Sequence, residues 1–239
     1  MTTNPKFSLR LGSLVGQTIS AHFRNIVPFT LLAAIAMAPW IAVRLYMDSE
    51  AATWAAWAAP VLQQLGSQIL AGALTYGVVQ HMRGEAAGLA RTITVGVQSF
   101  LRVIAVGIVV GVLIGLGTLL LIVPGLILTM CYYVAIPVAV LERKGVGASM
   151  QRSMDLTRGS RWPIFGAVVL MVLIMIIPFM VLGFVAASSM GNGQLPIWID
   201  IPLNVLIVPF GSTMAGVCYY MLRSGKENID AKQIASVFD

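Results

Sequence analysis

Long apolar runs alternate with short polar stretches along the whole chain. Each run is long enough to cross the hydrocarbon core of a bilayer, about 30 Å, as a helix rising about 1.5 Å per residue. The pattern predicts an all-α membrane protein with six transmembrane helices in three hairpins, at residues 26–46, 60–82, 102–123, 125–141, 162–188 and 196–222. The third and fourth spans meet at Pro124-Gly125, a turn signal with almost no loop, which predicts a tight helical hairpin.

The polar stretches before the hairpins have apolar residues at helical spacing. This spacing predicts an amphipathic helix in the membrane interface before each hairpin. The apolar faces consist of Leu11, Leu14, Val15, Ile19 and Phe23 in the first stretch, Leu89, Ile93, Val97, Phe100 and Leu101 in the second, and Val146, Met150 and Met154 in the third.

The order of interfacial helix, two spans and a basic exit with glycine recurs along the chain. It divides a single integral membrane domain, residues 1–239, into approximate repeats at 7–84, 85–145 and 146–225, followed by a short tail at 226–239. Repeated units of this kind predict a pseudo-threefold arrangement of hairpins.

Composition agrees with this class. The chain is 58% hydrophobic and 10% charged, whereas soluble domains carry about 25% charged residues. The polar stretches are too short to fold as a separate catalytic domain. The net charge of +6 does not indicate nucleic-acid binding, because the basic residues flank apolar spans.

The basic residues are distributed asymmetrically about the predicted spans. Of the fifteen Lys and Arg residues, only Arg44 falls on one side of the membrane. The positive-inside rule makes the other side cytoplasmic and places both termini there. The remaining fourteen are Lys6, Arg10, Arg24, Arg83, Arg91, Arg102, Arg143, Lys144, Arg152, Arg158, Arg161, Arg223, Lys226 and Lys232.

Several of these residues are candidates for contact with phospholipid headgroups or with a membrane partner. They fall at interfacial depth, where a basic residue near an anionic surface contributes about 1 kcal/mol. The alternative is a structural collar that orients the spans. The candidates are Arg24, Arg102, Arg152, Arg158 and Arg161. Glu142, which closes the fourth span, is expected to form an interfacial ion pair with Arg152 or Arg158.

Small and polar residues also occur within the predicted spans. Gly107, Gly111 and Gly115 form a GxxxGxxxG run in the third span. Glycines at this spacing allow close helix approach, so packing within the chain is favoured over a dimer face. The amides of Gln63, Gln64 and Gln68 in the second span are expected to face protein or to lie near the interface.

Few residues suggest catalysis or ion transport. Asp200, with Asn204 one turn later, lies near the external interface, and Arg44 is expected to pair with Asp48 there. A phospholipid-modifying enzyme would have to use Glu142, Asp155 and His81.

The sequence contains no HExxH, GxSxG, P-loop or GxGxxG motif, and Cys131 and Cys218 lie inside apolar spans as packing residues. We therefore expect no enzyme activity, no cofactor and no metal.

A central block carries a family resemblance. Residues 132–142 read YYVAIPVAVLE and are followed by Gly147-Ala148, Arg152-Ser153 and Leu156-Thr157-Arg158-Gly159 before Trp162. This block resembles the signature of the bacterial glycerophosphoryl diester phosphodiesterase membrane-domain family, including YciC-like proteins. The ending, YYMLR at 219–223 and KENID at 226–230, is similar to the family's closing pattern, with Met221 and Asn228 in place of Asp and Gly.

The resemblance covers essentially the whole chain and implies a six-span protein of the bacterial inner membrane. Some members of the family carry an appended metal-dependent phosphodiesterase domain, which this sequence lacks, so the resemblance supplies no catalytic residues.

Four functions remain open from the sequence. The first is a non-enzymatic membrane protein whose basic cytoplasmic collar contacts anionic lipid or a membrane partner. The second is a transporter or channel for a small or lipidic substrate. The third is an accessory subunit of a larger membrane complex or a homo-oligomer. The fourth is a membrane enzyme that acts on phospholipid.

Overall fold

The computed structural model describes residues 9–49, 53–85, 88–190 and 196–227, and these residues form an α-helical bundle without strands. Lys6, Glu50, Lys232 and the closing motif from Asn228 onward lie outside these ranges. The helices are α1 (Leu11–Arg24), α2 (Ile26–Ala36), α3 (Ala38–Ser49), α4 (Thr53–Met82), α5 (Leu89–Leu120), α6 (Ile122–Tyr132), α7 (Ala135–Leu141), α8 (Val146–Thr157), α9 (Arg161–Met190) and α10 (Ile197–Glu227).

Several helices have the length and composition of membrane spans. In the part of the chain that the structure describes, three qualify, Leu89–Leu120, Ile122–Leu141 and Ile197–Glu227, or up to five if each of two bent helix pairs counts as one span. These long apolar helices indicate a membrane-embedded protein. The predicted six spans and the threefold repeat are not confirmed.

Two of the three predicted interfacial helices end in a sharp bend. Helix α1 meets α2 at 77°, and α8 meets the first part of α9 at 98°. The second predicted unit differs, because α5 runs without interruption from Leu89 to Leu120. The sequence between its amphipathic part and its apolar part, Ser99-Phe100-Leu101-Arg102, contains no glycine or proline that would end a helix.

The predicted hairpin between the third and fourth spans is formed by α5 and α6. Its turn is at Leu121, the single extended residue between the helices, and not at Pro124-Gly125 as the sequence predicted. Pro124 lies instead in the first turn of α6, where proline is tolerated. A Cβ atom on Gly125 would lie 2.8 Å from Thr118 Cα, so only glycine allows the two helices to approach this closely.

The core lies between α4 and α10 and extends to the shorter helices around them. Leu70, Leu74 and Val78 of α4 are fully buried, as are Val217 and Leu222 of α10. In a bilayer such side chains stabilise the bundle through close packing with their neighbours rather than through removal from water. The middle of the bundle is therefore filled by apolar side chains.

Helix α8 packs on the bundle through hydroxyl groups. Its buried residues include Ser149, Ser153 and Thr157, whereas the predicted face of Val146, Met150 and Met154 is half-buried. Ser153 Oγ donates to the Cys131 carbonyl at 2.8 Å, and Thr157 Oγ1 approaches the same oxygen at 3.3 Å. Because the helix breaks between α6 and α7, this carbonyl lies in a last helical turn, whose oxygens lack N–H donors within the helix.

Candidate functional site

A network of charged side chains joins the ends of α7 and α10 to α8. Glu142, the residue after α7, is its centre. Glu142 Oε1 accepts hydrogen bonds from the Tyr219 hydroxyl at 3.0 Å and from Arg152 Nε at 3.1 Å. Lys144 Nζ lies 2.7 Å from Glu142 Oε2. We call the end of the bundle where this network lies the basic end.

A second carboxylate closes the network. Glu227 is bound by Arg152 Nη2 and by Arg223 Nε at 3.2 Å. Arg223 Nη1 also donates to the Tyr219 hydroxyl at 2.8 Å. The chain of contacts therefore returns through Tyr219 to Glu142, and each carboxylate is held by two cations.

Electrostatics explains why Glu142 stays charged in a half-buried position. Burial raises the pKa of its carboxyl, but the hydrogen bond from Lys144 and the charge of Arg152 outweigh burial and leave the pKa below its ordinary value. Both carboxylates are engaged in ion pairs, so the network suits a structural junction better than general acid or base catalysis.

Lys226 strengthens the same junction from the last turn of α10. Its Nζ donates to the carbonyls of Asp155 at 3.1 Å and Arg158 at 2.5 Å. These carbonyls lie at the carboxyl end of α8, where backbone acceptors lack partners within the helix and cations are favourable. The Asp155 side chain itself is exposed.

The five candidate headgroup residues have different partners, although Arg152, Arg158 and Arg161 all lie near Lys226. The sequence predicted that Glu142 pairs with Arg152 or Arg158, and the structure shows the pair with Arg152. The Arg152 guanidinium therefore binds two carboxylates, those of Glu142 and Glu227. Arg102 Nη1 reaches the Ala139 carbonyl at 3.4 Å. Arg24 and Arg158 are exposed, and Arg161 is half-buried.

Three large apolar side chains are exposed directly beside these arginines. They are Phe23, 62% exposed, Leu101, 77% exposed, and Trp162, 77% exposed. In α1 the residues packed on the bundle are Leu14, Thr18, Ala21 and His22. The apolar face predicted for α1 is thus divided, since Leu14 faces the bundle while Phe23 faces outward.

A cavity of about 470 Å³ lies at the bend between α1 and α2. We call it the elbow cavity. Its polar lining comes from Arg24, Asn25, His81 and Glu85, and its apolar lining includes Phe29 and Leu32. Of the residues that a phospholipid-modifying enzyme would use, only His81 lies here, so Glu142, Asp155 and His81 do not form one cluster.

His22 is separate from His81 and packs among aromatic rings. It is 5% exposed, with its ring centre 4.8 Å from that of Phe210 and 6.2 Å from that of Phe29. Its Nδ1 is buried without a hydrogen-bond partner among the described residues. The helical spacing of His22 from Leu14 and Thr18 was the one sign of this burial in the sequence.

A second polar network lies at the opposite end of the bundle. Arg44 forms a salt bridge with Asp200 at 3.1 Å. The side chain of Asp48, the partner predicted for Arg44, lies outside the described residues. Asn204 Nδ2 donates to Asp200 Oδ1 at 2.9 Å, and Gln63 Nε2 donates to Asn204 Oδ1 at 2.8 Å. Gln63 therefore faces protein, as expected.

Of the remaining amides and glycines of the spans, Gln68 and Gly107 lie near one another. Gln64 is exposed, and Gln68 lies 3.7 Å from where a Cβ of Gly107 would be. Nothing lies within 4 Å of the corresponding positions at Gly111 and Gly115. Only the first glycine of the GxxxGxxxG run therefore packs against another described helix.

Two apolar grooves flank α9. One, about 570 Å³, runs between α9 and α10 and is lined by residues such as Met171 and Phe210. The other, about 220 Å³, lies between α9 and α6. Tyr133, Val168 and Val172 line both grooves, so they are separated by little more than these side chains.

Among the described residues, no group of three or more His, Cys, Asp or Glu side chains is placed to hold a metal ion. In comparison with known proteins, the chain matches no family model, no curated protein and no solved structure.

Proposed function

We propose that this protein is a non-enzymatic, multi-pass protein of the bacterial inner (cytoplasmic) membrane. In this proposal both termini are cytoplasmic, and the basic end contacts anionic phospholipid. The observation that carries the proposal is the pairing of an exposed apolar side chain with an arginine at three helix entries. The pairs are Phe23-Arg24, Leu101-Arg102 and Arg161-Trp162.

Each pair has the chemistry of a membrane interface. Phe, Leu and Trp side chains exposed to this degree are unfavourable in water, whereas arginine is unfavourable in hydrocarbon. Both are satisfied where acyl chains meet headgroups. The basic residues at the three entries would then lie at headgroup depth, with the apolar side chains directed towards the acyl chains.

The exposed arginines are the ones best suited to bind headgroups. Arg24 and Arg158 are exposed, and neither donates a hydrogen bond from its side chain to another described residue. Arg152 is excluded as a headgroup contact by its two carboxylate partners, and we assign it to the junction of α7, α8 and α10.

The test is the lipid retained by the purified full-length protein. The double variant Arg24→Gln/Arg158→Gln, incorporated in nanodiscs that contain phosphatidylglycerol and phosphatidylcholine, should retain less phosphatidylglycerol in native mass spectrometry. A loss of ~1 kcal/mol per arginine corresponds to about a fivefold decrease in affinity for each. Arg44→Gln removes the same charge from the opposite end and should leave retention unchanged. Equal retention by the double variant and the unmodified protein would refute the proposal.

Transport of a lipidic substrate is a second candidate function, and the lateral groove between α9 and α10 favours it. This groove is apolar and open at the side of the bundle, as an entry for acyl chains would be. Against it, the buried Leu70, Leu74 and Val217 fill the described core between α4 and α10 with apolar side chains. Movement of fluorescent lipid between leaflets of proteoliposomes would support this candidate, and its absence would favour the first.

An accessory role in a membrane complex is a third candidate. It is favoured by the open space at Gly111 and Gly115, because small residues on an outward helix face allow a second helix to approach closely. Native mass spectrometry from mild detergent would detect a stable partner or a homo-oligomer.

A further inference from the structure

The elbow cavity has two kinds of wall. Arg24, His81 and Glu85 line it with polar groups of different charge, and Phe29 and Leu32 line it with apolar surface. Its volume of about 470 Å³ falls in the range of about 300–1,000 Å³ that small-molecule sites occupy. A molecule that fills it must have one polar end with both charges and one apolar end.

Local backbone features create the space. Asn25 separates α1 from α2, and its Nδ2 donates back to the Ala21 carbonyl at 2.9 Å. Gly84 has φ +79°, a conformation that glycine adopts at low cost and that turns the chain after α4. Gly77 lines the cavity without a side chain.

We propose that the elbow cavity binds a phospholipid with an amine headgroup. Its phosphate would lie at Arg24 and His81, its ammonium group at Glu85, and the start of an acyl chain along Phe29 and Leu32. The site lies at the basic end, so the proposal rests on the proposed function to the extent that this end is in the membrane interface.

Charge complementarity selects the amine headgroup. The Arg24 guanidinium forms charge-assisted hydrogen bonds with phosphate oxygens, and the imidazole of His81 adds a donor. Glu85 would attract an ammonium group and repel a second anion. Glu85 also interacts electrostatically with Arg83, whose Nη1 donates to Gln80 Oε1 at 3.2 Å. The lining thus matches a zwitterion, whereas Arg158, which lies outside the cavity, suits an anionic lipid.

The apolar wall distinguishes a lipid from a soluble phosphate compound. Phe29 and Leu32 are each 4% exposed and belong to the hydrophobic core of the bundle. Leu89, which also lines the cavity, is 42% exposed. A headgroup without an acyl chain would leave this side chain uncovered, so the intact lipid should bind more tightly.

The experiment measures lipids retained by the full-length protein from an equal mixture of phosphatidylethanolamine and phosphatidylglycerol. We expect one phosphatidylethanolamine to be retained in native mass spectrometry. Gly77→Leu should reduce its retention several-fold by filling the cavity. Gly77→Ala is the matched control, because its Cβ would meet Phe29 Cε1 and Thr92 Cγ2 at 3.6 Å, an ordinary contact. Equal retention by Gly77→Leu and Gly77→Ala overturns the proposal.

A surface variant keeps the test independent of folding. Glu85 is exposed, so Glu85→Gln should fold normally and should lower the ratio of bound phosphatidylethanolamine to bound phosphatidylglycerol. An unchanged ratio overturns the assignment of the ammonium group to Glu85. Competition by added phosphoethanolamine as effective as that by the lipid would overturn the lipid as ligand.

The two proposals fail in different ways. The single variant Arg158→Gln does not alter the elbow cavity. If it retains as much phosphatidylglycerol as the unmodified protein, the result counts against the proposed function alone. If Gly77→Leu and Glu85→Gln retain as much phosphatidylethanolamine as the unmodified protein, the result counts against lipid binding in the elbow cavity alone.

Discussion

The hydroxyl of Tyr219 donates a hydrogen bond of 3.0 Å to the carboxylate of Glu142. This contact joins α10 to the residue that ends α7, across 77 positions of sequence. Tyr219 is almost completely buried, so water cannot replace the carboxylate as its partner. The contact makes the basic end one rigid junction of three helices rather than three separate helix ends.

Tyr219→Phe should destabilise this junction without creating a cavity. Hydrogen bonds to charged groups contribute about 1.5–3 kcal/mol, and the change also removes an acceptor from Arg223. We expect a lower melting temperature in detergent. Tyr220→Phe is the matched control, since the neighbouring hydroxyl makes no hydrogen bond to a described residue, and its melting temperature should stay unchanged. Equal melting temperatures for the two variants would contradict the prediction.

Glu142→Gln should destabilise the protein in a pH-dependent way. The folded protein lowers the pKa of this carboxyl from its ordinary value of 4.5, so its contribution is fully present above that pH and is lost as pH falls through the lower folded value. At neutral pH the variant should lose about 2 kcal/mol of stability. The difference from the unmodified protein should shrink below about pH 4.5.

The measurement is thermal unfolding of both proteins in detergent from pH 7 downward. Asp155→Asn is the control, because that carboxylate is exposed and its side chain has no ion pair among the described residues. A difference between Glu142→Gln and the unmodified protein that stays constant through the acid range would count against a charged Glu142.

Ser153→Ala combined with Thr157→Val should weaken the attachment of α8. Both hydroxyls are buried against the Cys131 carbonyl, and an unsatisfied buried acceptor costs about 1–3 kcal/mol. Protease digestion in detergent should then cut near α8 more rapidly. Thr94→Val removes an exposed hydroxyl that bonds within its own helix and should leave digestion unchanged. If the double variant resists protease as well as Thr94→Val does, the hydrogen bonds to the Cys131 carbonyl do not hold α8 in place.

Two glycine substitutions in the α5–α6 hairpin should have opposite effects. Gly125→Ala places a Cβ 2.8 Å from Thr118 Cα, and overpacking of this kind costs about 1–3 kcal/mol. Gly111→Ala meets nothing within 4 Å and should raise helix stability by up to about 1 kcal/mol. Thermal unfolding of the monomer in detergent compares them. A greater loss of thermal stability in Gly111→Ala than in Gly125→Ala would mean that the helix face of Gly111 is packed against another helix.

The sequence predicted the helical class, the hairpin and the ion pair of Glu142, because these depend on local periodicity and on oppositely charged residues close in the chain. It did not predict that α8 buries serine and threonine, since the acceptor that satisfies them exists only where α6 breaks. The Arg44–Asp200 pair was also missed. Residues 156 positions apart meet only through the tertiary fold, whereas Asp48 offered a partner one helical turn away.

The order of synthesis gives the break between α6 and α7 a further consequence. The ribosome delivers Cys131 and Glu142 before Ser153, and Tyr219 and Glu227 much later. The Cys131 carbonyl lacks its donors until Ser153 and Thr157 have been made. Glu142 then has its cations Lys144 and Arg152, but until α10 is made it lacks the hydrogen bond from Tyr219, and Arg152 lacks its second carboxylate, Glu227. Charged groups with missing partners are costly in hydrocarbon, so the incomplete junction should stay near water until α10 arrives. Completion of the last helix, rather than insertion of the first, would therefore be the step that commits this chain to its folded state.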